Sequence, residues 1–137
     1  MPHTVCEVMR RAFIQVAPDE GLEAVYRLMA MARVRELPVV NGGRLAGMIS
    51  HGDLVRAALE CVRRAGRAGL SDPITPLVRS VEPLSPDATL QEAARRMLAD
   101  QRPCLPAAES DGGGGLPRIV GLLVEGDLLR IAYSARV

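Results

Sequence analysis

Residues 47–59 read GMISHGDLVRAAL and residues 121–133 read GLLVEGDLLRIAY. In each, a glycine opens a short apolar run, a Gly-Asp-Leu step follows, and the apolar residues after it take up helical spacing. A strand running straight into a helix, written twice in one chain, marks an internal duplication. Working outward, PDEGLEAVYRLMAMA from Pro18 lies against PDATLQEAARRMLAD from Pro86, and Leu37-Pro38 falls on Leu105-Pro106. The second copy is longer only within ESDGGGGLP (Glu109 to Pro117). Its glycine run cannot hold a helix or strand and reads as a mobile turn. In the first copy the matching turn is Asn41-Gly42-Gly43, a compact hairpin signal.

Each copy has the same rhythm. Leu22, Val25, Tyr26 and Met29, and likewise Leu90, Ala93, Ala94 and Met97, predict a helix with one buried face. Thr89 and Glu92 add a capping-box signature to the second of these. Paired strands are expected at Leu37–Val40 with Leu45–Ile49, and at Leu105–Ala107 with Ile119–Val124. A second helix follows in each copy, over about 53–64 and 127–135. A short leading strand is expected at 13–16 and at 81–84. The fold class is therefore α/β (α+β), with two β-α-β-β-α units. Each unit alone leaves apolar surface uncovered, which predicts that the two pack sheet to sheet as one module. Residues 1–65 form the first domain and 74–137 the second, with a linker at 66–73 inside RRAGRAGLSD.

Composition excludes several classes of function. The 137 residues are 48% hydrophobic and 24% charged with net charge +1, so no strong field steers nucleic acid to the surface. No Trp, one Phe and two Tyr cannot build a stacking platform for single strands, and nucleic acid is not an expected partner. Every basic residue is Arg, a usage that genomic base composition explains better than phosphate chemistry does. Cys6, Cys61 and Cys104 are odd in number and widely spaced, which indicates neither a disulfide framework nor a zinc site and suits a reducing cytoplasm. No segment approaches the ~20 apolar residues of a membrane span, and no signal peptide is visible, so no membrane partner is expected.

The repeated block, Pro-Asp opening a helix, then Leu-Pro-Val, then Gly-hydrophobic-hydrophobic-Ser-x-x-Asp-Leu opening another, resembles the cystathionine-β-synthase-type (CBS) domain. Two tandem copies resemble a CBS pair, or Bateman module, over essentially the whole chain. The resemblance implies two clefts between the copies that bind adenosine-containing ligands such as AMP, ATP or S-adenosylmethionine, and a homodimer formed through the helices. It also implies that the hydroxyl and aspartate of the glycine block contact phosphate and ribose, while the first strand and the Leu-Pro-Val block frame the adenine. Carried onto this sequence, that nominates Ser50 and Asp53, with Ile14, Gln15, Pro38 and Val39 around the base. In the second copy Asp127 remains, but Val124 replaces the hydroxyl and Ala107 the valine, so phosphate binding is expected at the first copy.

The residues also admit a purely structural reading. Ser50 suits an N-cap and Asp53 the N3 position of the same helix, where a carboxylate favours the dipole and caps free donors. His51 can add charge near a phosphate or simply face solvent at the helix start. Arg10, Arg11, Arg35, Arg56, Arg63, Arg64 and Arg67 can reach phosphates, although most are expected on solvated faces. Cys61 and Cys104 suit buried packing. His3 and Cys6 make no metal site by themselves. The expected function is a non-catalytic regulatory module that senses an adenosyl ligand and signals by a change in shape or dimer geometry to an unidentified protein partner, with no required cofactor. The competing reading is a ligand-free dimerisation or docking scaffold. No nucleophile elbow, Walker loop or catalytic carboxylate pair argues for an enzyme.

Overall fold

The computed structural model describes residues 2–134. The elements run α1 (Val5–Val8), α2 (Leu22–Ala32), β1 (Glu36–Asn41), β2 (Arg44–Ser50), α3 (His51–Ala65), two 3₁₀ turns (Gly66–Ser71 and Thr75–Leu77), α4 (Leu90–Asp100), β3 (Cys104–Glu109), β4 (Arg118–Val124) and α5 (Glu125–Ser134). The chain divides into two compact units. One is Ile14–Val81, and the other joins the segment up to Phe13 with the chain from Glu82 onward.

In the unit 14–81, β1 and β2 pair antiparallel, and Gly42 and Gly43 close the hairpin with positive φ of 58° and 81°. Two such residues in succession give the primed turn whose twist matches the strands, as the Asn-Gly-Gly signal predicts. The register shifts between Val39 and Val40, because Val39 faces Gly47 while Val40 faces Leu45. The extra residue, Ala46, forms a bulge. Leu22, Val25 and Met29 of α2, Leu37 and Val39 of β1, Ile49 of β2 and Leu54 of α3 pack into one aliphatic core with Val16 and Ile74. Helix α2 ends where Arg33 turns left-handed, with φ 58°.

The second unit repeats this plan. Strands β3 and β4 pair antiparallel with the same irregularity, Ala107 facing Gly121 and Ala108 facing Ile119. Helix α4 starts with the Thr89 hydroxyl accepting from the Glu92 amide at 3.1 Å and ends where Gln101 turns left-handed. The long hairpin turn is braced from within, since Ser110 and Asp111 side chains accept from the amides of Gly112 and Gly113. Helix α5 is the helix expected over 127–135, and Ala135 lies outside the described residues.

The leading strands are shorter than expected. Each shrinks to one parallel bridge, Val16 to Val39 in the first unit and Leu84 to Ala107 in the second. Val16 donates to the Pro38 carbonyl at 3.1 Å and accepts from Val40 at 2.8 Å. Continuing the ladder backwards needs an N–H on Pro38 that donates to Ile14, and proline has none. Pro106 stops the ladder before Glu82 for the same reason.

What precedes those bridges is more extensive than expected. Asp72 to Leu77 docks on the start of α2: Leu22 donates to Asp72 at 3.0 Å, Ile74 donates to Glu20 at 2.9 Å, and the Thr75 hydroxyl donates to Pro18 at 2.7 Å. His3 to Cys6 makes the matching bonds on the start of α4, where Leu90 donates to His3 at 3.0 Å and Val5 to Ala88 at 2.9 Å. Arg79 then bridges Met48, and Arg10 bridges Leu122. Among the described residues no helix is long and apolar enough to cross a membrane.

Candidate functional site

The site grows from the junction of β2 and α3. Ser50 has extended backbone (φ −104°, ψ 150°) and its hydroxyl accepts from the Asp53 amide at 3.2 Å, so Ser50 is the N-cap and Asp53 occupies N3. The His51 amide, which an N-cap side chain does not reach, donates instead to the Arg35 carbonyl at 2.8 Å. Its ring rests 5.6 Å from that of Tyr26.

The Asp53 carboxylate is the buried centre of an ion cluster. Arg79 grips it with both arms of its fork, Nε to Oδ2 at 2.6 Å and Nη2 to Oδ1 at 3.0 Å. Arg56, one helical turn on, also donates to Oδ1. The Asp53 side chain is 8% exposed, whereas that of Arg79 is 69% exposed. The Arg79 hydrogen bonds hold the Asp53 carboxyl below the ordinary aspartate value, outweighing burial, which pushes the other way. Arg56 and Ser50 add to the lowering.

Arg79 reaches Asp53 because its backbone crosses the hairpin beside Gly47. Arg79 and Met48 exchange both backbone hydrogen bonds, at 3.0 and 2.9 Å. A Cβ on Gly47 would press on the Arg79 carbonyl group, and the glycine has φ 154°. The glycine that opens the repeated block thus makes room for the segment that carries the arginine.

Asp53, Arg56 and Arg79 line a cleft of about 430 Å³ together with Ala57, Pro76 and Leu77. Ser50 meets Asp53 at the helix start without lining that cleft. The remaining nominated residues of this unit stand apart from it. Ile14 and Gln15 are exposed on the segment before the Val16 bridge. Pro38 and Val39 are both buried; Val39 belongs to the core shared with α2 and α3, and strand alternation turns Pro38 to the opposite face.

The second unit repeats the cluster. Arg10 grips Asp127, Nε to Oδ2 at 2.9 Å and Nη2 to Oδ1 at 3.2 Å, and Arg130 donates to Oδ1 at 2.8 Å. The Arg10 hydrogen bond again lowers the carboxyl of Asp127, opposed by burial, with Arg130 contributing. Arg10 and Leu122 exchange backbone bonds at 2.9 Å in each direction. A Cβ on Gly121 would meet the Met9 side chain, with Cγ at 2.7 Å. Val124 offers no cap, so the aspartate is retained at a helix start without the hydroxyl.

Reading the sequence outward from its glycine block misses Arg79 and singles out neither Arg10 nor Arg130. The signal is nonetheless present. Val5-x-x-Val8-Met9-Arg10 recurs as Ile74-x-x-Leu77-Val78-Arg79, so the duplication begins upstream of the Pro-Asp helices. Cys61 and Cys104 are buried, as expected, and none of the three cysteines is in a disulfide.

The fold and cluster, each present twice, define a tandem α/β repeat protein built from strand, helix, hairpin and helix. The CBS domain matches residues 5–60 and again 74–134, and the chain belongs to that family as a tandem CBS pair. Among solved structures, it is similar to CBSX2 in complex with AMP (21% identity, 99% of this chain and 100% of that one, TM-score 0.80). It is also similar to the CBS domain pair of MJ0100 in complex with 5′-methylthioadenosine and S-adenosyl-L-methionine (19%, 98% and 100%, TM-score 0.74). A third is CbpB in complex with c-di-AMP (18%, 96% and 85%, TM-score 0.77). No curated protein sequence matches the chain.

Proposed function

We propose that this chain is a non-catalytic sensor that binds an adenosine-containing ligand of the AMP, ATP or S-adenosylmethionine type and reports its occupancy through shape or dimer geometry. The observation that carries the reading is Asp53, a buried carboxylate at N3 of a 15-residue helix, beside a cleft lined by the cationic Arg56 and Arg79. A carboxylate there accepts two ribose hydroxyls, and the helix N-terminus with two guanidinium groups favours a neighbouring phosphate. CBS pairs of the same fold hold AMP, S-adenosyl-L-methionine or c-di-AMP. In this reading Ser50 and His51 border the phosphate, and Ile14, Gln15 and Pro38 border the base. The Ile14 carbonyl, which Pro38 cannot satisfy, serves as acceptor for the exocyclic amine, and Val39 supports the strand from the core. Asp127 anchors a second, weaker site that lacks the hydroxyl. The chain forms a homodimer through Val55, Leu59 and Val62 of α3 and Leu129 and Tyr133 of α5, all exposed large apolar residues. The duplicated block places Leu129 and Tyr133 where the first copy has Val55 and Leu59.

The second reading is the ligand-free scaffold, favoured by the same ion cluster, because Asp53 already has charged partners. A thermal-shift panel of AMP, ADP, ATP, S-adenosylmethionine, NAD and cyclic dinucleotides separates the two. A rise in melting temperature with one adenosyl ligand, lost in Asp53→Ala, supports the sensor. No shift with any of them at millimolar concentration supports the scaffold.

A further inference from the structure

The two clusters share a geometry that their surroundings do not. Arg79 and Arg56 clasp Asp53 just as Arg10 and Arg130 clasp Asp127, although the capping hydroxyl of the first site is a valine at the second. The element common to both is the arginine fork delivered by the segment that crosses the hairpin. That fork engages both carboxylate oxygens, the atoms to which a ribose diol would donate.

Resting on that reading, we propose that Arg79 is a specificity-determining latch: it keeps Asp53 occupied until a ligand's anionic group takes over its guanidinium, so the cleft admits an anionic ribonucleotide and rejects the uncharged nucleoside. The Asp53 side chain is 8% exposed, so a neutral ligand that pulls it away from Arg79 replaces a bidentate ion pair with bonds from uncharged hydroxyls, and the buried carboxylate loses the opposite charge of the guanidinium. A phosphate changes that balance. Arg79 moves from one bidentate anion to another, and Asp53 takes the diol, so neither charge is left without a partner. The movement is small, because the Arg79 backbone stays on Met48 while its exposed guanidinium already lines the cleft. Arg56, 72% exposed on the same cleft, adds a second donor for the arriving anion.

The test is isothermal titration of the full chain with AMP and with adenosine, for wild type, Arg79→Gln and Arg79→Lys, with circular dichroism melts to establish folding. Wild type is expected to prefer AMP by about a hundredfold or more, the size of two charge-assisted hydrogen bonds. In Arg79→Gln the preference collapses from both sides: AMP weakens about tenfold and adenosine tightens about tenfold. Arg79→Lys keeps the charge without the fork, and is expected to retain part of the preference. It carries the same comparison if the glutamine variant does not fold. Adenosine binding that is unchanged or weaker in both variants, while AMP binding falls, overturns the latch and leaves Arg79 a simple phosphate contact. Equal wild-type affinity for AMP and adenosine also overturns it. If wild type and variants bind neither, the latch is overturned, and the thermal-shift panel decides the adenosyl reading separately.

Discussion

Arg79 and Asp53 are 26 positions apart in sequence and joined by two hydrogen bonds of 2.6 and 3.0 Å. The contact exists because residues 72–79 run back along their own unit, first on the start of α2 and then beside Gly47. Arg10 meets Asp127 in the same way, from residues at the other end of the chain. The aspartate of each repeat is therefore the point where the crossing segment is fastened to the start of a helix.

Asp53→Ala removes the carboxylate at N3 and with it the anchor of the ion cluster, and is expected to lower stability by about 1–2 kcal/mol in urea titrations. Arg79→Ala leaves the Asp53 carboxylate, 8% exposed, with Arg56 as its remaining charged partner, and is expected to cost about 1–3 kcal/mol. A cost below about 0.5 kcal/mol would mean that the place of the carboxylate at the helix start, not the pair, carries the stability.

Acid should unfasten both clusters. The Arg79 and Arg10 hydrogen bonds depress the folded-state values of Asp53 and Asp127, so their contribution is complete above the unfolded aspartate value of about 3.9 and disappears as pH falls through the lower folded values. The arginines stay charged throughout and add no slope of their own. The melting temperature is expected to hold through neutral pH and decline below about pH 4, with a shallower decline in Asp53→Asn. The check is calorimetry from pH 7 to pH 2.5 at constant ionic strength.

The two block-opening glycines should differ in tolerance. Gly47→Ala drives a Cβ into the Arg79 backbone at φ 154° and is expected to cost about 2–4 kcal/mol. Gly121→Ala meets mainly the flexible Met9 side chain, and should cost about 1 kcal/mol. Guanidinium melts of the two variants decide the matter, and a larger cost at Gly121 would contradict it.

Leu59→Glu places a charge in the middle of the α3 stripe, where the side chain is 70% exposed. If that stripe is the dimer face, sedimentation velocity at micromolar concentration shows a dimer for wild type and a monomer for the variant, with an unchanged far-ultraviolet spectrum. A wild-type monomer at every concentration would remove the dimer from the proposed function.

Much of this architecture is legible in the residues. Helical spacing around Leu22 and Leu90, the Asn-Gly-Gly turn and the strand-to-helix step at Ser50 are local signals, and each element forms where its signal lies. The leading strands are shorter than their apolar runs suggest because a proline in the partner strand ends their ladder, a consequence visible only once the pairing is known. The bulges at Ala46 and Val120 escaped for the same reason, since nothing in a single strand marks which residue its neighbour will skip. For the candidate site, spacing identified Ser50 as a cap and Asp53 as its N3 partner. It did not explain why Asp127 survives opposite Val124.

By itself, the sequence determined that the chain is a duplication, that each copy alternates strand and helix in a fixed order, and that an aspartate starts the last helix of each. Those properties follow from periodicity, turn chemistry and capping, which act over a few residues. Only the tertiary structure decided which arginine meets which aspartate. That choice depends on a segment passing over a glycine of the neighbouring hairpin, and the clearance for such a crossing arises between strands that no local pattern brings together.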